Sequence, residues 1–300
     1  MTFAPSKKVH FSCRSGCGKC CNSAPEMAVS EGLRLYRDFI LGIKISGARF
    51  RSGFIDASSR KRCDHLLANG GVEIVRGDEI IVYILNAVAL EPSSRKRCPK
   101  LSPDMSCSIY DRRPNVCGGS PLDFFLPEDQ MSIALDRAWP KTWKCDFSDA
   151  APLLWADGRI AAGPYRDSYM AGLKATQLDK CIARFICGDD LQISYDRIAD
   201  AFADNQHIIV DMSSTLFFLN SIRHNRTGLD GPDWDFWCSA DIPSEVSFFE
   251  AQMSLIKDQI NDNLSRKNAD DRQNTAELRQ MYKIYGLYLE ALASGEFENS

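Results

Sequence analysis

Apolar residues recur along this chain in two rhythms. Around a Gly77-Asp78 turn, Val72-Glu73-Ile74-Val75 and Ile80-Ile81-Val82-Tyr83-Ile84-Leu85 form two β-branched runs, the mark of a β-hairpin. Upstream, Ser30 can cap a helix that carries Leu33, Tyr36 and Ile40 on one face. Residues 46–62 are polar and basic and read as a loop. Beyond residue 150 a helical rhythm takes over. Pro164 suits the first position of a helix running toward Gly188, with Tyr165, Tyr169, Leu173, Cys181, Ile182 and Phe185 mostly on one side. Residues 208–222 form another apolar stretch, and Gly228 to Cys238 reads as a Gly/Pro/Asp/Trp loop. From Pro243 and Ser244 onward, Val246, Phe249, Met253, Ile256 and Ile260 recur at spacings of three and four. Leu278, Tyr282, Tyr285, Leu289 and Leu292 repeat that spacing beyond a polar stretch, which predicts a helical hairpin closing on itself or on the core. The expected class is α+β, mostly α. A small N-terminal half (1–150) would hold the β-hairpin and clustered cysteines, and a helical half (151–300) would follow.

Composition narrows this little. The apolar and charged fractions are those of an ordinary soluble protein. A formal net charge of −4 argues against wholesale coating of nucleic acid, though not against a local basic patch. No apolar run reaches the ~18 residues of a spanning helix. The opening residues Met1 to Lys8 lack the apolar segment of an export signal, so a cytoplasmic location is expected.

The cysteines change the picture. There are twelve, and most crowd into the first half. In a reducing compartment, tight spacings read as metal binding rather than disulfides. Cys13, Cys17, Cys20 and Cys21 lie within nine residues, and Cys98, Cys107, Cys117 and Cys145 form a second group. Thiolates are soft ligands, and four of them suit Zn2+ or an iron–sulfur cluster of the [4Fe–4S] kind. Cys17-x-x-Cys20 is a chelating loop between glycines, whereas adjacent Cys20 and Cys21 point different ways. The groups are therefore expected to interleave, stapling residues 11–21 to residues 98–145. Pro99 and Pro114 fix the backbone beside candidate ligands. Arg112 or Arg113 would offset thiolate charge or pair with a carboxylate such as Asp111. Cys63-x-His65 can equally lend a ligand or pack. Cys181, Cys187 and Cys238 read as small buried apolar side chains, and His10, His207 and His224 lack spacing partners. A hexapeptide, Ser-Ser-Arg-Lys-Arg-Cys, recurs at residues 58–63 and 93–98 and reads as two solvated basic loops.

Together, Phe11-x-Cys13, Cys17-Gly18-x-Cys20-Cys21, Cys98-Pro99-x-Leu101, Cys107-Ser108-Ile109-Tyr110 and Arg113-Pro114-x-x-Cys117 resemble the YkgJ-type cysteine-cluster family, described as a zinc- or iron-chelating domain. The resemblance covers roughly residues 11–145. It departs at the three-residue gap between Cys13 and Cys17 and at Gly118-Gly119 after Cys117, where that family commonly has Arg. It implies a zinc- or iron-chelating centre on the cysteines of these motifs; Cys145 joins the candidate ligands by spacing alone. Flagellin lysine methylases, thought to carry an iron–sulfur cluster and to use S-adenosylmethionine, are a weaker resemblance. The Gly-rich strand-to-helix loop of a doubly wound nucleotide fold is not among the motifs. Two function classes follow: a metal-binding protein, or a metal-dependent enzyme of the methylase or oxidoreductase kind. The C-terminal helical hairpin is a candidate surface for a protein partner.

Overall fold

A computed structural model describes residues 8–295, apart from 15, 19, 22, 52, 54, 91–93, 95–96, 138–144, 188–192, 205 and 225–230. The chain opens with β1 (Val9–His10), β2 (Glu26–Met27), α1 (Val29–Arg34), β3 (Leu41–Arg51), α2 (Ala57–Ala68), β4 (Val72–Arg76) and β5 (Glu79–Ala89). Next come α3 (Asn115–Gly119), α4 (Met131–Arg137), β6 (Leu153–Ala156), β7 (Arg159–Ile160), α5 (Pro164–Leu178) and α6 (Lys180–Ile186). The last elements are α7 (Tyr195–Ala203), β8 (Ile208–Asp211), α8 (Ser213–His224), α9 (Pro232–Ser239), α10 (Glu245–Arg266) and α11 (Asp271–Ser294). The class is α+β with helix predominating.

β5 is the axis of the main sheet. Its first half pairs with β4 and its far end with β2, both on one edge; β3 runs the length of the other edge, and β8 lies beyond it. Every pairing is antiparallel. Leu41, Ile43 and Ile45 of β3 lie opposite Ala89, Ala87 and Leu85 of β5. Because opposite residues share a face, these side chains form one apolar layer. That layer is buried under Ile182, Ile198, Phe202, Leu216, Phe249 and Tyr285 from the later helices. On the opposite face Phe50, Val82 and Ile84 pack against Cys63 and Leu66 of α2. Both faces of β5 are thus covered, which is why it reads as a nearly continuous apolar run. The helix α1 lies so close to this strand that a Cβ on Gly32 would stand 2.4 Å from the Ala87 side chain.

A smaller sheet joins β1, β6 and β7. It carries a second core of Phe11, Leu122, Leu126, Met131, Trp155 and Tyr169. Both sheets therefore draw strands from either side of residue 150. No helix among the described residues is long and apolar enough to cross a membrane.

The β-hairpin stands at β4–β5, with Gly77 at φ 63° in its turn. The helical hairpin stands at α10–α11, where Phe249 meets Tyr285 with ring centroids 5.1 Å apart. Ser244 caps α10 by accepting the Ser247 N–H. Val246 and Tyr282, expected on the seam, are exposed.

Four expectations need correction. Residues 46–62 are mainly strand and helix rather than loop, because Arg49 pairs with Glu79 across the β3–β5 ladder and Asp56 caps α2. The first copy of the basic hexapeptide is accordingly helical, while Ser93, Arg95 and Lys96 of the second lie outside the described residues. The helix expected from Ser30 to Ile40 ends at Arg34, and its N-cap is Ala28. Its Val29 N–H is capped from a distance by Asp179 Oδ2 at 2.7 Å. Residues 232–239 form a helix with Pro232 at its first turn, the position where proline is tolerated. The segment from Pro164 breaks into α5 and α6 at Asp179. Gly188 and residues 228–230 lie outside the described residues.

Two predictions follow from this packing. Gln252 is fully buried on α10, where it accepts the Leu41 N–H at 2.8 Å and donates to Tyr36 O at 2.6 Å and Phe39 O at 2.9 Å. Gln252→Ala strands these backbone groups and should destabilise the fold by on the order of 3 kcal/mol. Urea unfolding measures this, and a loss below about 1 kcal/mol contradicts it. Burial holds the Asp179 carboxyl well above the ordinary carboxylate range. The folded state then binds that proton more tightly than the unfolded chain. The stability it contributes is full below the unfolded value of about 3.9 and is lost as pH rises above it. Asp179→Asn should therefore flatten the decline in unfolding free energy as pH rises above about 4. An unchanged slope contradicts the assignment.

Candidate metal centre

The N-terminal thiol loop is anchored at both ends by backbone. Phe11 donates its N–H to Pro152 O at 2.9 Å and buries its ring in the second core. Ser12 and Asp146 exchange N–H···O bonds of 2.8 and 2.9 Å, which sets Cys13 beside Cys145. At the far end, Cys98 N–H donates to Cys21 O at 2.9 Å. The two cysteine groups are thus sewn together at residues 12–13 and at residue 21. Between these stitches the loop turns through Gly16 (φ 72°) and Gly18 (φ 56°). A Cβ at Gly18 would come within 2.7 Å of the Met105 side chain, so glycine serves both the turn and the close approach.

The second group is ordered by its own short bonds. Leu101 and Cys107 form a β-bridge, and Ser108 N–H donates to Lys100 O at 2.9 Å. Cys117 lies in α3, whose first residue, Asn115, donates its N–H to Glu31 Oε1 at 2.7 Å. Glu31 also accepts the Ala28 N–H through Oε2. Asp179, Val29, Glu31 and Asn115 thus form a buried chain of bonds that fixes the helix carrying Cys117.

The structure gathers Cys13, Cys17, Cys20, Cys21, Cys98, Cys107, Cys117 and Cys145 into one neighbourhood, and their electrostatics record it. Burial, followed by the charges of Cys98, Cys20 and Cys107, pushes the Cys117 thiol up to about 12. Burial, then Cys17, Cys13 and Cys20, takes Cys145 to about 11. Cys13 is raised by burial and by Cys20. The adjacent pair splits: a hydrogen bond from Cys21 holds Cys20 down at about 6, while the same bond and burial drive Cys21 up. Like charges this close disfavour one another's ionisation. All of these cysteines are free thiols.

Cationic groups near the cluster divide their duties. The Arg112 guanidinium grips Asp38 rather than Asp111, with Nη2 2.8 Å from Oδ1, and Lys100 shares the same carboxylate at 3.3 Å. Arg113 stacks 4.1 Å over the Tyr110 ring and favours the charged forms of Cys13, Cys20 and Cys117. Tyr165 accepts the Cys13 N–H at 3.2 Å.

The remaining sulfurs stand apart. Cys63 is buried against α2's apolar neighbours, and its thiol is raised by burial rather than by other thiols. His65 is committed to Phe124 O at 3.1 Å and to Asn69, and burial lowers its pKa. Cys181 and Cys187 lie in the main core. Cys238 is half-buried on α9.

Among the described residues, no three cysteine, histidine or carboxylate side chains already stand at the spacing of a closed metal site. The donor chemistry nonetheless fits a soft cation. Crowded thiols hold their protons against mutual repulsion, and a bound cation would replace those protons and cancel that repulsion. The site also has a feature that sequence spacing could not reveal. A cavity of about 440 Å³ opens beside Cys20, Cys21, Cys98 and Cys117, walled on other sides by β5, α2 and α5.

The thiol loop carries its own test. In metal-free protein at pH 7, Cys20, lowered and exposed, should be alkylated first by iodoacetamide, with buried Cys181 and Cys187 last. Peptide mapping reads the order, and labelling of Cys117 or Cys145 ahead of Cys20 would refute it. No family model matches the chain, and neither a curated protein nor a solved structure shows significant similarity to it.

Proposed function

We propose that this chain is a metal-binding protein. Its clustered cysteines would hold an iron–sulfur cluster or zinc in a cysteine-rich N-terminal half, with the mainly helical C-terminal half as scaffold. The observation that carries this reading is the mutual perturbation of thiols from two sequence groups, sewn together by the Cys98–Cys21 and Ser12–Asp146 backbone bonds. The ligand set drawn from this gathering is Cys13, Cys17, Cys20, Cys21, Cys98, Cys107, Cys117 and Cys145. Eight thiols exceed the four of one zinc site and suit an iron–sulfur cluster with spare thiols, or two centres. When bound, such a group supplies positive charge that keeps the thiolates ionised, and redox chemistry if it is iron. The protein's own part is to orient the sulfurs, and Arg113 offsets residual negative charge. A reducing compartment such as the cytoplasm suits so many free thiols.

A second reading, an enzyme working at this centre, is favoured by the adjoining cavity. The α10–α11 hairpin offers a surface for a protein partner, and acidic overall charge speaks against nucleic acid.

The deciding measurement is metal, sulfide and visible absorption on anaerobically purified protein. Cys21→Ser and Cys117→Ser should lower metal affinity at least about tenfold, and Cys13→Ser tests the ligand at the edge of the set. Cys63→Ser and Cys187→Ser should keep full metal content. A folded, colourless, metal-free protein sinks the proposal.

A further inference from the structure

The cavity beside the thiols has a chemical character of its own. Its volume of about 440 Å³ falls within the range of small-molecule sites. Leu66, Ile84, Phe124 and Leu173 supply apolar wall from four different segments. The polar lining is one-sided. It includes Glu26, Glu31 and Asp123, while no lysine, arginine or histidine lines it among the described residues.

The three carboxylates differ in what they have left to offer. Glu26 is ion-paired with Lys44. Glu31 spends one oxygen on Asn115 N–H and the other on Ala28 N–H. Asp123 uses Oδ1 for the Phe125 N–H at 2.8 Å, and its Oδ2 has no partner among the described residues. Two amides repeat the pattern. Asn69 donates through its nitrogen to His65 O at 2.7 Å, and Asn86 donates to Ser46 Oγ at 3.4 Å. Neither side-chain oxygen has a partner among the described residues. Three residues around the cavity thus hold spare acceptors, one of them charged.

We propose that this cavity binds small organic amines with an apolar, preferably aromatic, body. A protonated amine would meet the spare acceptors of Asp123, Asn69 and Asn86. Its hydrocarbon would replace water against the apolar wall, to which Phe124 and Phe125 belong. Its approach from the Cys20–Cys117 end rests on the reading of the thiols as an anionic metal–thiolate centre. A carboxylate or phosphate would be stripped of water with no cation to receive it, against three carboxylates and that centre. The wall therefore selects by charge before it selects by shape.

Calorimetry with three probes of matched size tests the assignment: phenethylamine, phenethyl alcohol and 3-phenylpropanoate. Metal and sulfide are assayed in the same sample of anaerobically purified protein. The amine should bind at least about tenfold tighter than the alcohol, a difference of about 1.4 kcal/mol, and the carboxylate should give no heat. Asp123→Asn should bring the amine down to the level of the alcohol. Ala24→Phe, which fills the cavity from its wall, should abolish binding while leaving the thermal midpoint in place. If the Asp123 variant fails to fold, the Ala24 variant and the probe order still decide. Full metal content without amine binding, or binding of the carboxylate as tightly as the amine, overturns the proposal and leaves the metal reading standing. Amine binding by protein that holds neither metal nor sulfide upholds the cavity assignment and sinks the metal reading.

Discussion

Two buried carboxylates hold the architecture to the site. Asp179, at the break between α5 and α6, takes the first N–H of α1; Glu31, two residues further along α1, takes the first N–H of α3. Each satisfies a helix end that its own local sequence leaves open, since Ala28 and Pro114 at those caps have no side-chain acceptor. The result is a rigid path from the helical layer to Cys117. Burying two acids is unfavourable, which is why burial raises both. Their backbone bonds offset that penalty and couple the sheet, the helices and the thiol cluster into one unit.

The cluster itself lives under the opposite constraint. Its members repel once ionised, so the backbone must hold together what electrostatics pushes apart. The two stitches and the paired glycines do much of this with main-chain atoms, helped by Tyr165 at Cys13 and Glu31 at the helix of Cys117. The split between Cys20 and Cys21 shows the compromise in miniature: neighbours that cannot both ionise share one proton.

Much of this was legible along the chain where local signals agree. The β4–β5 hairpin shows as two β-branched runs around a turn that wants positive φ, and the α10–α11 spacing of apolar residues reaches the core except at Val246 and Tyr282. The two cysteine groups announce themselves by spacing, and the structure joins the segments that carry them by the Cys98–Cys21 and Ser12–Asp146 backbone bonds. The second half of β3 was hidden because Arg49 and Arg51 give it the look of a loop, and the cross-strand partner Glu79 explains Arg49. α2 was hidden by its three successive cations; Arg60 and Lys61 are exposed, but Arg62 is half-buried beside Cys63, and Leu66 faces in. α9 was mistaken for a loop because Gly231 and Pro232, which open a helix here, are also the residues of turns. The cavity had no signal at all, since its wall is assembled from segments spread between residues 20 and 176.

The distant capping of α1 has a consequence for how the protein is made. All eight thiols have been synthesised once the chain reaches Cys145, yet the residue that caps α1 is Asp179, and β8, which completes the main sheet, comes later still. During translation the sulfurs therefore emerge well before the frame that orders them. For that interval, lasting a few seconds at about 5–20 residues per second, the bond from Asp179 and the last strand of the main sheet are not yet there to order them.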